Sequence, residues 1–284
     1  MMKRMYPFVC IVFMMFYLNT PVYSKTSNTD KHIDHKVDLV GVLTQGALLT
    51  GHVEKGMQVF LNDKAVKVSP NGDFVIGFGR DAKQHQMLSY KDSDTPLVEQ
   101  TLQLSKREYK IQRIEGVPQK MVTPDPSKTA RIRADASLVK TARKQSLDVE
   151  FFLQKFVRPV KGRVTGVYGS QRVFNGTPKR PHFGLDYAGP VGELVYAPAS
   201  GVVTLVHDDM YYSGGTLIID HGYGVSSTFL HLSELLVKEG DNIIQGDVIA
   251  KIGKSGRATG PHLDWRINWF TVRIDPQLVL DRYK

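Results

Sequence analysis

Five side chains able to bind a divalent cation fall in three short stretches of the chain. His182 and Asp186 stand in Pro181-His182-Phe183-Gly184-Leu185-Asp186, His231 in Leu230-His231-Leu232-Ser233, and His262 with Asp264 in Gly260-Pro261-His262-Leu263-Asp264-Trp265. Zinc takes imidazole nitrogen and carboxylate oxygen, and a catalytic zinc site uses three protein ligands and keeps a fourth position open. Five candidates therefore suffice for three ligands and two helpers. The spacings 182–186 and 262–264 are even, so an extended strand turns each pair to one face. Gly184 within the first and Gly260-Pro261 before the second argue against helix at either place. Other histidines lack such company: His207 beside Asp208-Asp209 reads as solvated, His221 in Asp220-His221-Gly222-Tyr223-Gly224 as a hairpin loop, and His32, His35, His52 and His85 as surface groups.

Strands must position these groups, because the flanking sequence alternates. Gly201 to Val206, Gly215 to Asp220, Val225 to Leu230, Asp247 to Ile252 and His262 to Asn268 are alternating or β-branched runs joined by Gly-rich turns. Ahead of them, from about Asp38 to Arg113, short apolar runs alternate with turn signals. Asn71-Gly72 favours a hairpin turn because both residues accept positive φ, and stretches up to Tyr109–Arg113 complete a small β-sandwich. Between the halves, Asp125 is placed to cap a helix beginning at Pro126. Ile132, Ala136 and Val139 recur at helical spacing through Arg131 to Lys144, predicting one amphipathic helix laid on a neighbouring surface. The fold expected is mostly β: an N-terminal small β-sandwich, one linking helix and a C-terminal antiparallel β-sandwich.

The ordered set His-x-x-x-Asp, then His-Leu-Ser, then Gly-Pro-His-x-Asp resembles the lysostaphin-type zinc endopeptidases of peptidoglycan, the M23 peptidases. Supporting words are Gly-Val-Tyr-Gly at 166–169, Tyr196-Ala197-Pro198-Ala199-Ser200-Gly201-Val202-Val203 and Val237-Lys238-Glu239-Gly240-Asp241. The resemblance runs from about Arg163 to the end and departs at one position, since Asp264 stands where the family usually has a second His. It implies a lysostaphin-type catalytic sandwich and one zinc ion per chain, with His182, Asp186 and Asp264 as ligands. His231 and His262 become the unliganded catalytic histidines. Two carboxylates at one ion lead us to expect a more alkaline optimum than in a relative with His at 264. The implied activity is hydrolysis of amide bonds in peptidoglycan peptides by an exported zinc metalloendopeptidase; the alternative is a non-catalytic wall-binding or hydrolase-activating relative. Val237-Lys238-Glu239-Gly240-Asp241 with Gly246-Asp247-Val248-Ile249-Ala250 also echoes lipoyl and biotinyl carriers, but no Lys sits at a hairpin tip beside Met.

Export is read from the start of the chain. Lys3 and Arg4 precede an uncharged run from Tyr6 to Leu18 and then Pro21-Val22-Tyr23-Ser24, the order of a secretory signal. The run is short for a membrane span, so the mature chain is expected to carry none and to lie in the periplasm, outside the cell or at the wall. Cys10, the sole cysteine, would leave with the signal, and no disulfide could form. The expected divisions are a signal over 1–24, a β domain over 25–113, a linker with the helix over 114–157 and a metallopeptidase domain over 158–284. The net charge of +9 suits an anionic polymer. No nucleic-acid-binding motif accompanies it, so nucleic acid is not an expected partner.

Overall fold

Turn chemistry and alternation from Val37 onward produce a mostly β structure, seen in a computed structural model that describes residues 37–94, 96–116 and 125–283. These fall within one unit, Asp34–Lys284. The expected signal, Cys10, His32, His35 and Thr123-Pro124 lie outside the described residues. Strands β1 (Leu39–Val40), β2 (Leu48–His52) and β5 (Asp73–Gly77) form one small sheet. Strands β3 (Gln58–Leu61), β4 (Lys64–Val66), β6 (His85–Lys91) and β7 (Val98–Gln103) form another, in the order β4-β3-β6-β7. Leu48, Leu49, Phe74, Ile76, Leu88 and Tyr90 are buried here; β2 and β5 are buried on both faces, with Leu48 and Val75 packed into the core of the C-terminal half. The Asn71-Gly72 turn is present: Ser69 N–H donates to Asp73 and Gly72 N–H to Ser69. Gly72 has φ 100, and a Cβ there would collide with the Val53 carbonyl.

One strand goes elsewhere than expected. The Tyr109–Arg113 stretch becomes β8 (Ile111–Ile114), which leaves the first sandwich and pairs in parallel with β10 (Gln171–Phe174), Ile111 opposite Gln171 through Ile114 opposite Phe174. Its four side chains are all exposed, so it has no buried face to fix it on a core. Its attachment is through main-chain hydrogen bonds. Nearby, Arg107 forms a 2.8 Å ion pair with buried Asp275, and Asp275 N–H donates to the Gly46 carbonyl.

Asp125 accepts from Ser127 N–H and Pro126 opens a short 3-10 turn, which leads into helix α1 (Thr129–Lys144). The cap is therefore where the sequence places it. Helix α1 lies along the strand β14 (Gly201–Met210). Ala142 packs with Leu205, Met210 and Ile218, Arg131 pairs with Asp209, and Asp135 accepts the Tyr211 N–H. Only Ala142 of the helix is buried. Of the apolar stripe, Val139 packs against the Ala142 cluster, and Ile132, Ala136 and Val139 also line a cavity.

The C-terminal half adds β9 (Val164–Gly166), β11 (Thr177–Pro178), β12 (Leu185–Ala188), β13 (Leu194–Tyr196), β15 (Gly214–Asp220), β16 (Val225–Leu235), β17 (Asn242–Ile243), β18 (Val248–Ile252), β19 (His262–Trp269) and β20 (Val272–Ile274). Its main sheet runs β17-β14-β15-β16-β19-β12-β9, with β13 and β18 paired and β20 beside β19. Leu263, Trp265 and Ile267, the odd positions of β19, join Tyr187, Phe229 and Ile219 in the core. The even positions His262, Asp264 and Arg266 are left for another task.

His221 lies in the hairpin loop between β15 and β16, as read from sequence, yet it is a core residue. It is fully buried, with Nδ1 2.7 Å from the Ser200 carbonyl and Nε2 2.8 Å from the Ser227 hydroxyl. A carbonyl only accepts, so Nδ1 carries the proton and Nε2 receives the hydroxyl proton. Trp265 Nε1–H donates to the same hydroxyl oxygen. Burial pushes the imidazole pKa down to about 4, partly countered by the Ser200 carbonyl. The unfolded chain takes up a proton near pH 6.5, so the neutral ring stabilises the fold above that pH and this stability is lost as pH falls toward 4. Urea unfolding of the native protein should show a decline of roughly 3 kcal/mol across that window from this group, absent in His221→Gln; an equal decline in both proteins would refute the assignment.

Candidate metal centre

Strand pairing brings the distant residues together. In the β12–β19 ladder Asp186 lies directly opposite Asp264, and in the β12–β9 ladder Asp186 lies opposite Gly166. His182 precedes β12 in an extended segment tied to its neighbour, accepting from Gly169 N–H and donating to the Ser170 carbonyl. One donor atom from each of His182, Asp186 and Asp264 lies within 4.8 Å of the other two. His182 Nε2 and Asp186 Oδ1 are 3.2 Å apart, yet both are buried and neither has a hydrogen-bond partner. Orphaned donors of this kind converging on one point fit a divalent cation, and one His with two carboxylates is a set that zinc accepts.

Two glycines make the space. A Cβ at Gly166 would collide with the Asp186 carboxylate, and one at Gly184 with Asp264 Oδ1 and the Trp265 carbonyl. Gly184, read from sequence as a helix breaker, thus also clears room for a ligand on the facing strand.

Asp264 is 3% exposed and does not stand alone. Arg266, two residues on and on the same face, places Nε 2.9 Å from Oδ1 and Nη2 against Oδ2. Burial raises the Asp264 pKa, but the guanidinium more than reverses this and holds the carboxyl below its ordinary value. Each carboxylate oxygen has a second lone pair, so a bidentate arginine leaves Asp264 able to coordinate. The charge expectation changes with it. Arg266 compensates one of the two carboxylates, leaving the formal charge of a one-carboxylate site, and the alkaline shift relative to His at 264 is no longer expected. Burial lowers the pKa of His182, while its contact with Asp186 and the charges of Asp264 and Asp186 more than restore it.

His231 and His262 stand together with ring centroids 4.8 Å apart. His231 Nδ1 lies 2.9 Å from the Ser255 carbonyl and His262 Nδ1 2.8 Å from the Gly260 carbonyl. Both rings thus donate from Nδ1, leaving Nε2 as the free nitrogen. His231 is held at φ 65 where β16 shifts register, a conformation uncommon for a residue with a Cβ. Burial lowers its pKa, offset in part by the Ser255 carbonyl and Asp264, so it is neutral near pH 7 and able to accept a proton. Of the remaining histidines, His52 pairs with Asp73 at the surface and His207 Nδ1 accepts from Asp209 N–H. Arg266 escaped sequence reasoning, although the i, i+2 spacing to Asp264 in a strand was its signal.

The C-terminal half has the expected β fold and brings the ordered His and Asp residues together. Residues 180–276 match the model of Peptidase family M23. Peptidoglycan DD-endopeptidase ShyA of Vibrio cholerae is 35% identical over 115 residues, 40% of this chain and 26% of that protein. DD-carboxypeptidase/endopeptidase Mpg of Neisseria meningitidis serogroup B is 44% identical over 91 residues, 31% of this chain and 21% of that protein. This chain therefore spans about a quarter of the length of such curated relatives. A crystal structure from Pseudomonas aeruginosa assigned to peptidase M23 matches with TM-score 0.66 and 26% identity, covering 86% of this chain and 97% of that one. The likeness to that structure extends through both halves.

The Asp264–Arg266 pair makes a specific forecast. Arg266→Gln leaves a buried carboxylate without its cation, a change that costs about 3–5 kcal/mol in comparable pairs. Thermal melts should show a large loss of stability in the metal-free variant, and added zinc should raise its melting temperature more than that of the native protein. An equal zinc response would place Asp264 outside the ligand set.

Proposed function

We propose that this chain is an exported zinc metalloendopeptidase that hydrolyses amide bonds in peptidoglycan peptides. The observation that carries the reading is the convergence of His182, Asp186 and Asp264 on one point beside a pair of histidines whose Nε2 atoms are free. The relatives that match the same stretch are peptidoglycan DD-endopeptidases, which supports the substrate class. A zinc ion held by the three donors would supply Lewis-acid polarisation of the scissile carbonyl.

The chain's own residues handle the protons. His231, neutral and tied at Nδ1 to Ser255, is placed to take a proton at Nε2. Once protonated it becomes a donor, and with His262 it can meet negative charge growing on the amide oxygen or return a proton to the leaving amine. The fixed carbonyls behind both rings keep their orientation and tautomer constant through the cycle. Among the described residues no helix is long and apolar enough to cross a membrane, and the export reading rests on the segment over 1–24.

His231→Ala and His262→Ala should each lower turnover of wall sacculi by about 10²–10⁴-fold while zinc content stays near one per chain. Cross-linked peptide release by the native protein should stop on chelation and resume with zinc. Loss of zinc in either alanine variant would move that residue into the ligand set, and undiminished digestion after chelation would reject the metallopeptidase reading.

A further inference from the structure

Helix α1 roofs a cavity of about 960 Å³ that reaches the site at His231 and Arg266. The ligand triad does not line it; it opens to one side of the reacting centre. Its lining is strongly one-signed: lysines and arginines crowd it, and Asp135 is the sole acid among the described residues that line it. Asp135 is already engaged with the Tyr211 N–H.

Strand register explains the crowding. Arg266 lies opposite Thr228 on β16, and Asn268 opposite Arg273 on β20. Arg143 reaches down from α1 and donates Nη2 to Thr228 Oγ1 at 2.9 Å, while Arg273 donates to Asn268 Oδ1 at 3.2 Å. Arg180 and Arg273 both stand over the ring of Phe183, 5.7 and 5.9 Å from its centroid, one residue from His182. Arg143 Nε is buried with no hydrogen-bond partner. Among the described residues, only Arg266 of these four has a carboxylate, Asp264, within ion-pair distance.

Cations crowded without counterions in a partly dry pocket are costly. Desolvation, then the charges of Arg266 and Arg180, push Arg273 down to about 9, and burial with the Arg273, Arg266 and Arg180 charges lowers Arg143. A guanidinium fork matches a carboxylate with two parallel hydrogen bonds. Phe183, Leu230, Met210 and Val139 supply apolar lining in the same cavity, suited to the short aliphatic part of a peptide.

We propose that this cavity is a carboxylate receptor in which Arg143 and Arg273, with Arg180 at its mouth, hold a free carboxylate of the peptide while the amide to be cut lies at the metal centre. The assignment of the carboxylate to the peptide substrate rests on the proposed peptidase reading; the receptor itself is tested without turnover. The zinc-loaded full chain is titrated with N-acetylalanine, N-acetylalaninamide and inorganic phosphate, following the Arg143 and Arg273 Nε–H signals by NMR. The free acid should shift both signals saturably and bind at least tenfold tighter than the amide and no weaker than phosphate. Arg143→Gln and Arg273→Gln should each weaken the acid at least tenfold with zinc content unchanged. Equal binding of acid and amide, tighter binding of phosphate, or unchanged affinity in both variants overturns the proposal. Carboxylate binding in a protein that leaves sacculi intact would instead reject the peptidase reading and keep the receptor.

Discussion

Two carboxylates set face to face across adjacent antiparallel strands are the constraint around which the C-terminal half is arranged. Asp186 and Asp264 are register partners on β12 and β19, and like charges directly opposite one another destabilise a sheet. The fold answers with positive charge from two sides. Arg266 approaches Asp264 from its own strand, and His182 approaches Asp186 from the segment before β12. His182, Asp186 and Asp264 form the candidate metal cluster, so the pair that strains the ladder is also a pair whose chemistry fits a divalent cation.

The same economy governs β19 as a whole. Its odd residues bury an indole and two aliphatic chains in the core, and its even residues carry His262, Asp264 and Arg266 to the opposite face. Packing on one side therefore fixes the chemistry on the other. A slip of one residue would exchange the two sets, which makes the core the guarantor of the site's geometry.

Much of this was legible in the residues because it depends on local rules. The five donors, the alternating strands, the Asn71-Gly72 turn and the Asp125 cap each follow from spacing or from a residue's intrinsic preference. What escaped depends on long-range pairing. Nothing local distinguishes Ile111-Gln112-Arg113-Ile114 as a strand for the second half, since its partner lies some sixty residues on. His221 sits in a turn but is enclosed by Ser200, just before β14, and Ser227 on β16. The cavity under α1 is legible only when Arg143, Arg180 and Arg273, far apart in the chain, share one space. The stripe on that helix read as packing, and Val139 does pack, but periodicity does not report the cavity that Ile132 and Ala136 also line.

The parallel pairing of β8 with β10 gives the first half a role beyond that of a neighbour. β10 has β8 on one side and the two-residue β11 on the other, so the incoming strand covers most of an otherwise open rim. Removing the residues before 158 would strip that cover and bare a row of unsatisfied amides and carbonyls. Exposed rims of this kind recruit further chains and seed aggregation. The leading half thus supplies a strand that covers an edge of the second half for as long as the two remain on one polypeptide.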